Sequence, residues 1–294
     1  MARRPMDDVA FMTIDFLHAV AGLLVGLLVG LTGVGGGSLM TPLLVLFFGY
    51  SAKTAVGTDL LFAAITKIAG SAVHGSRESV DWAIVRRMML GSVPAALVTL
   101  FLLSQVGEVG QSTEKIILTT LASLLALTAV GVLARSWLFR HRDVVDPPKS
   151  RTGIFVSTTL LGAFLGAAVT VSSVGAGAIG VTVLLTLYPR LQVSRIVGSD
   201  IAHAVPLALI AGTGHWLMGD VDGTLLTNLL IGSIPGVIVG SYLSSRAPDR
   251  LLQPLLAAVL AVSSWQLFVK ARAAEAPRVH TAQPALPTKK PGAL

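Results

Sequence analysis

The sequence predicts an all-α, polytopic membrane protein of about eight to ten hydrophobic segments in two homologous halves, arranged as inverted repeats with broken or re-entrant helices. Three observations carry this: long uncharged runs, an internal repeat, and glycine clusters that interrupt apolar stretches too long for one crossing. Of 294 residues, 53% are hydrophobic and 13% charged, about half the charge content of ordinary soluble domains. Phe16–Ala52 and Thr152–Pro189 contain no Asp, Glu, Lys or Arg, and Met88–Gly107, Ile116–Ala134, Ile201–Gly219, Gly223–Ser245 and Leu251–Val269 are uncharged too. A helix of about 20 apolar residues spans the hydrocarbon core of a bilayer, and so many such runs exceed what one soluble core of this size could bury.

Composition also excludes whole classes of chemistry. The chain has no cysteine, which removes disulfides and thiolate metal sites. Met1–Asp8 is polar, and the apolar stretch after it is far longer than a signal-peptide core, so no cleavable leader is expected. The formal charge of +7 comes mainly from loops and tails, with Arg135, Arg140, Arg142, Lys149 and Arg151 crowding one connection. In a membrane protein this pattern sets orientation and gives no reason to expect nucleic acid as a partner. The organisation expected is an N-terminal tail at 1–10, a first transmembrane repeat at 11–139, a basic linker at 140–150, a second repeat at 151–270, and a C-terminal tail at 271–294. That last tail, rich in Ala, Pro and Lys, is expected to be disordered.

The repeat is read by aligning Gly33 with Ser173 and allowing one inserted residue near Gly49–Tyr50. Val34-Gly35-x-Gly37 then pairs with Val174-Gly175-x-Gly177, and Val56-Gly57-Thr58-Asp59 with Val197-Gly198-Ser199-Asp200. His74 pairs with His215, Val80-Asp81 with Val221-Asp222, and Gly91-Ser92-Val93-Pro94 with Gly232-Ser233-Ile234-Pro235. Transporters commonly build their sites where such repeats meet, near the bilayer midplane.

Each half reads as five segments: about 11–32, 38–49, 55–74, 83–105 and 114–139, then about 153–172, 176–188, 197–217, 223–245 and 250–270. As one helix, Phe16–Ala52 would be about 55 Å long, so breaks belong at Gly33–Gly37 and Ser172–Gly177. Irregular backbone at membrane depth is tolerated where it is buried in protein or lines a polar cavity; close helix packing by small residues is the competing explanation. Arg77, Arg86 and Arg87 follow the third segment of the first half, whereas Asp220 and Asp222 follow that of the second. This reversal favours inverted repeats under the positive-inside rule. Counting crossings pulls the other way: five per half leave both basic termini outside, and a re-entrant second segment makes the repeats parallel.

Charged groups inside a membrane segment are costly and are functional candidates. Asp59, Lys67 and His74 share one face at helical spacing, and Asp200, His203 and His215 recur in the second half. Lys67 sits mid-segment, where it reads as a cation lining an anion pathway or as a structural partner of Asp59. Asp59 and Asp200 follow Thr58 and Ser199, so they read either as proton-handling groups or as first-turn acids behind a hydroxyl N-cap. His74 and His215 are interfacial hydrogen-bonders or protonatable groups. Helix N-termini bind anions through backbone N–H groups, which makes Gly35, Gly36, Gly37 and Ser38 candidates for the substrate, together with Thr170, Ser172, Ser173, Gly175 and Gly177. Pro94, Pro206 and Pro235 are positioned to kink their helices.

Gly33-Val34-Gly35-Gly36-Gly37 followed by Pro42, then Ala55-Val56-Gly57-Thr58-Asp59, His74, Val80-Asp81 and Gly91-Ser92, resembles the TauE/SafE sulfite exporter family, also called TSUP. The resemblance covers about residues 16–270. It implies transport across the bacterial cytoplasmic membrane of sulfite, sulfonates or related sulfur-containing organic anions, coupled to an ion gradient. The second half departs from the family's glycine-rich loop with Ser172-Ser173-Val174-Gly175-Ala176-Gly177-Ala178. The expected partners are a small anionic substrate and the lipid bilayer, with a homodimer as a candidate assembly.

A channel-like or metal-ion facilitator is the alternative, although only Asp200 and His203 lie at ligand spacing, so no metal site is expected. An intramembrane enzyme is disfavoured. There is no His-Glu-x-x-His, no nucleophile–base pair and no nucleotide-binding loop, and no cofactor is expected.

Overall fold

A computed structural model describes residues 15–32, 37–74, 80–105, 111–140, 150–175, 177–243 and 249–273. Both tails, most of the basic linker and Gly33–Gly36 lie outside the described residues. The described chain forms ten helices: α1 (Phe16–Thr32), α2 (Gly37–Leu46), α3 (Ala52–His74), α4 (Trp82–Gln105), α5 (Gln111–Arg140), α6 (Arg151–Ser172), α7 (Ala178–Leu187), α8 (Val193–Leu217), α9 (Gly223–Leu243) and α10 (Asp249–Ala273). No strand occurs among the described residues.

Local chemistry sets several boundaries. The Ser150 hydroxyl accepts from Gly153 N–H at 2.9 Å and caps α6. Asp81 Oδ1 accepts from Ala83 N–H at 3.0 Å, and Asp222 Oδ1 accepts from Leu225 N–H at 2.9 Å. These are N-caps of α4 and α9, which satisfy amides that have no partner within the helix. At its other end α6 stops at Ser172. Ser173 turns into the left-handed region (φ 58°) and donates its N–H to the Val169 carbonyl.

The surface is apolar in the manner of a membrane protein. Leu90, Leu97, Phe101, Val130, Leu160 and Trp265 project outward, while hydroxyls and carboxylates lie inside. Six helices are long and apolar enough to cross a membrane: α4, α6, α8, α9, most of α5 and most of α10. Lys53, Asp59 and Lys67 lower the hydropathy of α3, which instead packs against α2, α8 and α9.

The packing obeys the sequence repeat. α1 lies against α9 and α6 against α4, so the first helix of each half pairs with the fourth helix of the opposite half. The contacts match residue by residue. A Cβ at Gly22 would collide with the Leu229 backbone and one at Gly26 with Ser233; the aligned Gly162 and Gly166 meet Met88 and Ser92 in the same way. Such close backbone approach is the usual means of joining helices in lipid. The glycine stripes therefore serve packing, and the irregular break beyond them is a separate feature.

Helix directions decide the symmetry. Gly57 near the start of α3 lies against His215 and Asp220 at the end of α8, and Gly212 meets Leu60 and Leu61, so the equivalent helices α3 and α8 run antiparallel. The repeats are therefore inverted. α3 and α9 are parallel, because Thr58 Oγ1 accepts from Asp222 N–H (3.1 Å) and Thr66 Oγ1 meets Ser233 Oγ (2.9 Å) further along both. α1 is parallel to α9 as well, since Gly22, Gly26 and Gly30 meet Leu229, Ser233 and Val237 in turn. Thr41 of α2 reaches back to Asp59 of α3, and α2 runs opposite to α1 and α3.

The α1–α2 pair thus enters from one face and returns to it, with no net crossing. Three crossings per half remain, an odd number. The expectation that a re-entrant second segment makes the repeats parallel is corrected by this geometry: α1 and α2 cancel as a unit.

Candidate functional site

The third helix of each half carries the buried polar groups inward. Asp59 is fully buried. Thr41 of α2 donates its N–H to Asp59 Oδ2 at 3.1 Å and its hydroxyl to the same oxygen. Ser173, at the left-handed turn ending α6, sits beside this carboxylate. Its hydroxyl and Asp59 Oδ1 are both buried, and neither has a hydrogen-bond partner apart from the other. One carboxylate is therefore held by the half-helix of its own repeat and faced by the broken loop of the other.

Asp200 lies in the equivalent place, against the first turn of α7: any side chain at Gly180 would run into its Oδ1. Lys67, two turns along α3 from Asp59, is within electrostatic reach of both aspartates. It is partly buried. His203 is fully buried and bonds through Nε2 to Ser92 Oγ at 2.8 Å. Its Nδ1 has no hydrogen-bond partner, and Lys67 is within electrostatic reach. Ser92 and Ser233 are paired by the repeat alignment, and each contacts a polar side chain of the opposite half, His203 and Thr66. Among the described residues no three His, Cys, Asp or Glu side chains converge on one point.

The structure brings together Lys67, Asp59, Asp200, His203 and Ser173. Thr170 and Ser172 are buried nearby, but their hydroxyls donate to Gly166 and Ala168 carbonyls, both at 2.7 Å, within α6. Gly175 and Gly177 have φ of 119° and 117°, conformations that glycine adopts without a Cβ penalty, and both are buried at the break. Gly37 opens α2 and Ser38 is buried in its first turn. Gly35, Gly36 and the His74 side chain lie outside the described residues. His215 is buried at the end of α8, against Gly57 of α3 and the Thr170 carbonyl of α6.

One alternative is overturned. Thr58 and Ser199 are not N-caps with Asp59 and Asp200 in a first turn, because α3 begins at Ala52 and α8 at Val193. Both hydroxyls lie inside helices and accept the backbone N–H of Asp222 (3.1 Å) and Asp81 (2.8 Å) of the opposite repeat.

Sequence reasoning missed Thr41, Ser92, Thr66 and Ser233. The recurrence of Gly-Ser-x-Pro in both halves was the available signal for the two serines. It also missed the two outer ends of the hairpins. On one face Tyr188 accepts from Arg87 (3.1 Å) and bonds Thr158 (2.8 Å). On the other, His18 stacks on Phe48 at 4.5 Å and bonds Asp15 at 2.6 Å.

Two half-helices, the second beginning at a buried break, with paired carboxylates and a lysine on antiparallel third helices, define a multi-pass membrane protein of the inverted-repeat transporter class. The match to the family described as Sulfite exporter TauE/SafE extends over residues 18–267, and the chain belongs to that family. It is 38% identical over 251 residues to the probable membrane transporter protein YjnA of Bacillus subtilis, covering 84% of this chain and 97% of that one. It is 25% identical over 254 residues to the probable membrane transporter protein YdhB of the same organism, covering 83% and 96%. A probable membrane transporter protein of Methanocaldococcus jannaschii is 24% identical over 263 residues, covering 84% and 92%. No solved structure matches.

Proposed function

We propose that the chain is a secondary transporter, working as an exporter, for a small sulfur-containing anion such as sulfite or an organosulfonate. The carrying observation is that Lys67 lies within electrostatic reach of both Asp59 and Asp200, one carboxylate from each inverted repeat. The family name supports the substrate class. With both aspartates ionised, the cluster has a net charge of −1 despite Lys67, and an anion entering it would be repelled. With one proton on either aspartate the net charge is zero, and an anion entering finds Lys67 and the Ser173 hydroxyl facing it. Occupancy by an anion is thereby tied to a co-transported proton, which is the coupling proposed, and export then runs on the anion's own outward gradient. Binding of this kind is favourable yet escapable, as translocation needs.

The charge of the two faces supports an orientation in the cytoplasmic membrane of a bacterium. Arg86, Arg87, Arg151, Arg190 and Arg195 gather where α4, α6 and α8 begin, while Asp15, Asp220 and Asp222 lie at the opposite face with Lys53. The positive-inside rule puts the arginine face in the cytoplasm and the outer ends of α1 and α10 outside.

The test is uptake and efflux in proteoliposomes, offering sulfite, an organosulfonate and sulfate, with and without an imposed pH gradient. Saturable flux of a sulfur anion that responds to the gradient is expected. Flux that neither saturates nor responds would instead indicate a channel, and transport of divalent cations alone would overturn the reading.

A further inference from the structure

His215 occupies a position that no transport step above uses. Because α6 breaks at Ser172, the carbonyl of Thr170 loses the amide that would bond it one turn later: Val174 N–H donates to Ser172 Oγ instead, at 3.1 Å. An unpaired carbonyl in a buried place is costly. His215 removes that cost, with Nε2 lying 2.9 Å from the Thr170 oxygen. Its other nitrogen, Nδ1, lies 3.1 Å from Asp220 Oδ2, and Lys53 Nζ is 3.9 Å from Oδ1 of the same carboxylate.

The hydrogen-bond inventory constrains this arrangement. A carbonyl oxygen only accepts, so Nε2 must carry a proton. A carboxylate facing Nδ1 also only accepts, so Nδ1 must donate, or the proton must sit on Asp220 itself. A neutral imidazole has one donor and one acceptor nitrogen and would set its bare Nδ1 lone pair against carboxylate lone pairs. The three groups are all satisfied only while one proton lies between Nδ1 and Oδ2.

We infer that His215 is a positioning residue: together with Asp220 it anchors the broken end of α6, and so Ser173, through a bond that depends on one proton held between the two side chains. The charged groups around the ring are few. α3 presents Lys53, the α8–α9 turn presents Asp220 and Asp222, α6 offers a backbone carbonyl, and α4 packs Leu100 against neighbouring Gly214. His215 is 2% exposed and Asp220 borders the outer face, so the proton would be exchanged from that side. Loss of the proton leaves His215 unable to hold Asp220 and Thr170 together, and the segment carrying Ser173 is released. The role of Ser173 rests on the transport reading; the proton-dependent anchor does not.

The chain has no cysteine, so a single thiol reports cleanly. Val174→Cys, at a buried position one residue past Ser173, would be labelled in nanodiscs with a membrane-impermeant thiol reagent, and rates normalised to free cysteine at each pH. In the otherwise native chain, labelling should rise roughly tenfold between the acidic and the alkaline end of the range in which the protein stays folded.

Asp220→Asn is the discriminating variant, because an asparagine amide donates to a neutral Nδ1 and leaves every group satisfied. Its labelling should stay low and flat with pH, while His215→Ala should label fast throughout. Should Val174→Cys fail to fold, hydrogen–deuterium exchange of the peptide around Ser173, in the native chain and in Asp220→Asn, reads the same opening. A flat profile in the native chain, or a native-like profile in Asp220→Asn, overturns the proposal. Since no substrate is added, failure to transport a sulfur anion would leave this result standing, and the reverse holds as well.

Discussion

Thr41 directs both its backbone N–H and its hydroxyl at one oxygen of Asp59. The aligned residue of the second repeat, Val181, has no hydroxyl, and its N–H is engaged by the Gly177 carbonyl at 3.2 Å. The two carboxylates of the central cluster are thus symmetric in place and unequal in support. Thr41→Val makes the first half resemble the second and should destabilise the protein by about 1–3 kcal/mol, the cost of removing a hydroxyl donor from a buried carboxylate. Thr41→Ser should retain most of that stability. Thermal unfolding in detergent measures both.

Lys67 has no counterpart at the aligned Ala208. Lys67→Met removes its charge and keeps much of the apolar stem, so the fold should survive while the anion KM rises roughly tenfold or more. Lys67→Arg should fall between, because a planar guanidinium is not a compact point charge. If Lys67 merely neutralises Asp59, combining Lys67→Met with Asp59→Asn restores flux. Native flux in Lys67→Met alone would end its assignment to anion binding.

The aspartates are tested through pH. With Asn at both Asp59 and Asp200 no carboxylate remains to offset the Lys67 charge, so flux should lose the pH response that carboxylate protonation imposes. A double variant with native flux and native pH dependence would show that the carboxylates serve the fold alone.

The glycine stripes make a paired prediction. Gly22→Val and Gly162→Val thrust methyl groups into the Leu229 and Met88 backbones, so each should cost about 1–3 kcal/mol through overpacking, and by similar amounts. Gly223→Ala, where an added Cβ meets nothing within 4 Å, serves as the control and should stay within about 0.5 kcal/mol of native.

Much of this arrangement was legible in the residues. The duplication, the two breaks and the shared face of Asp59 and Lys67 follow from glycine positions, charge-free runs and helical spacing. The return of α1 and α2 to one face was not, because hydropathy records that a segment is buried and carries no sign for its direction. Thr41 was invisible for a related reason: a lone threonine in an apolar helix reads as filler until the carboxylate opposite it is placed. The N-cap alternative for Thr58 and Ser199 fails because α3 and α8 begin about a turn or more before them. Lys53 in α3, and Ser194 and Arg195 in α8, are instead absorbed into the opening turns.

The exchanged pairing of α1 with α9 bears on how the protein is made. Asp15 and its hydrogen-bond partner Asn228 are separated by 213 residues, and ribosomes add about 5–20 residues per second. The leading helix therefore waits about ten to forty seconds in the bilayer with its glycine groove open to lipid, until a partner from the far end of the chain arrives. During that interval the nascent protein is open to capture by insertion factors or by membrane proteases. Neither half can complete its packing alone, so a gene split at the linker should yield stable protein only when both fragments are synthesised together.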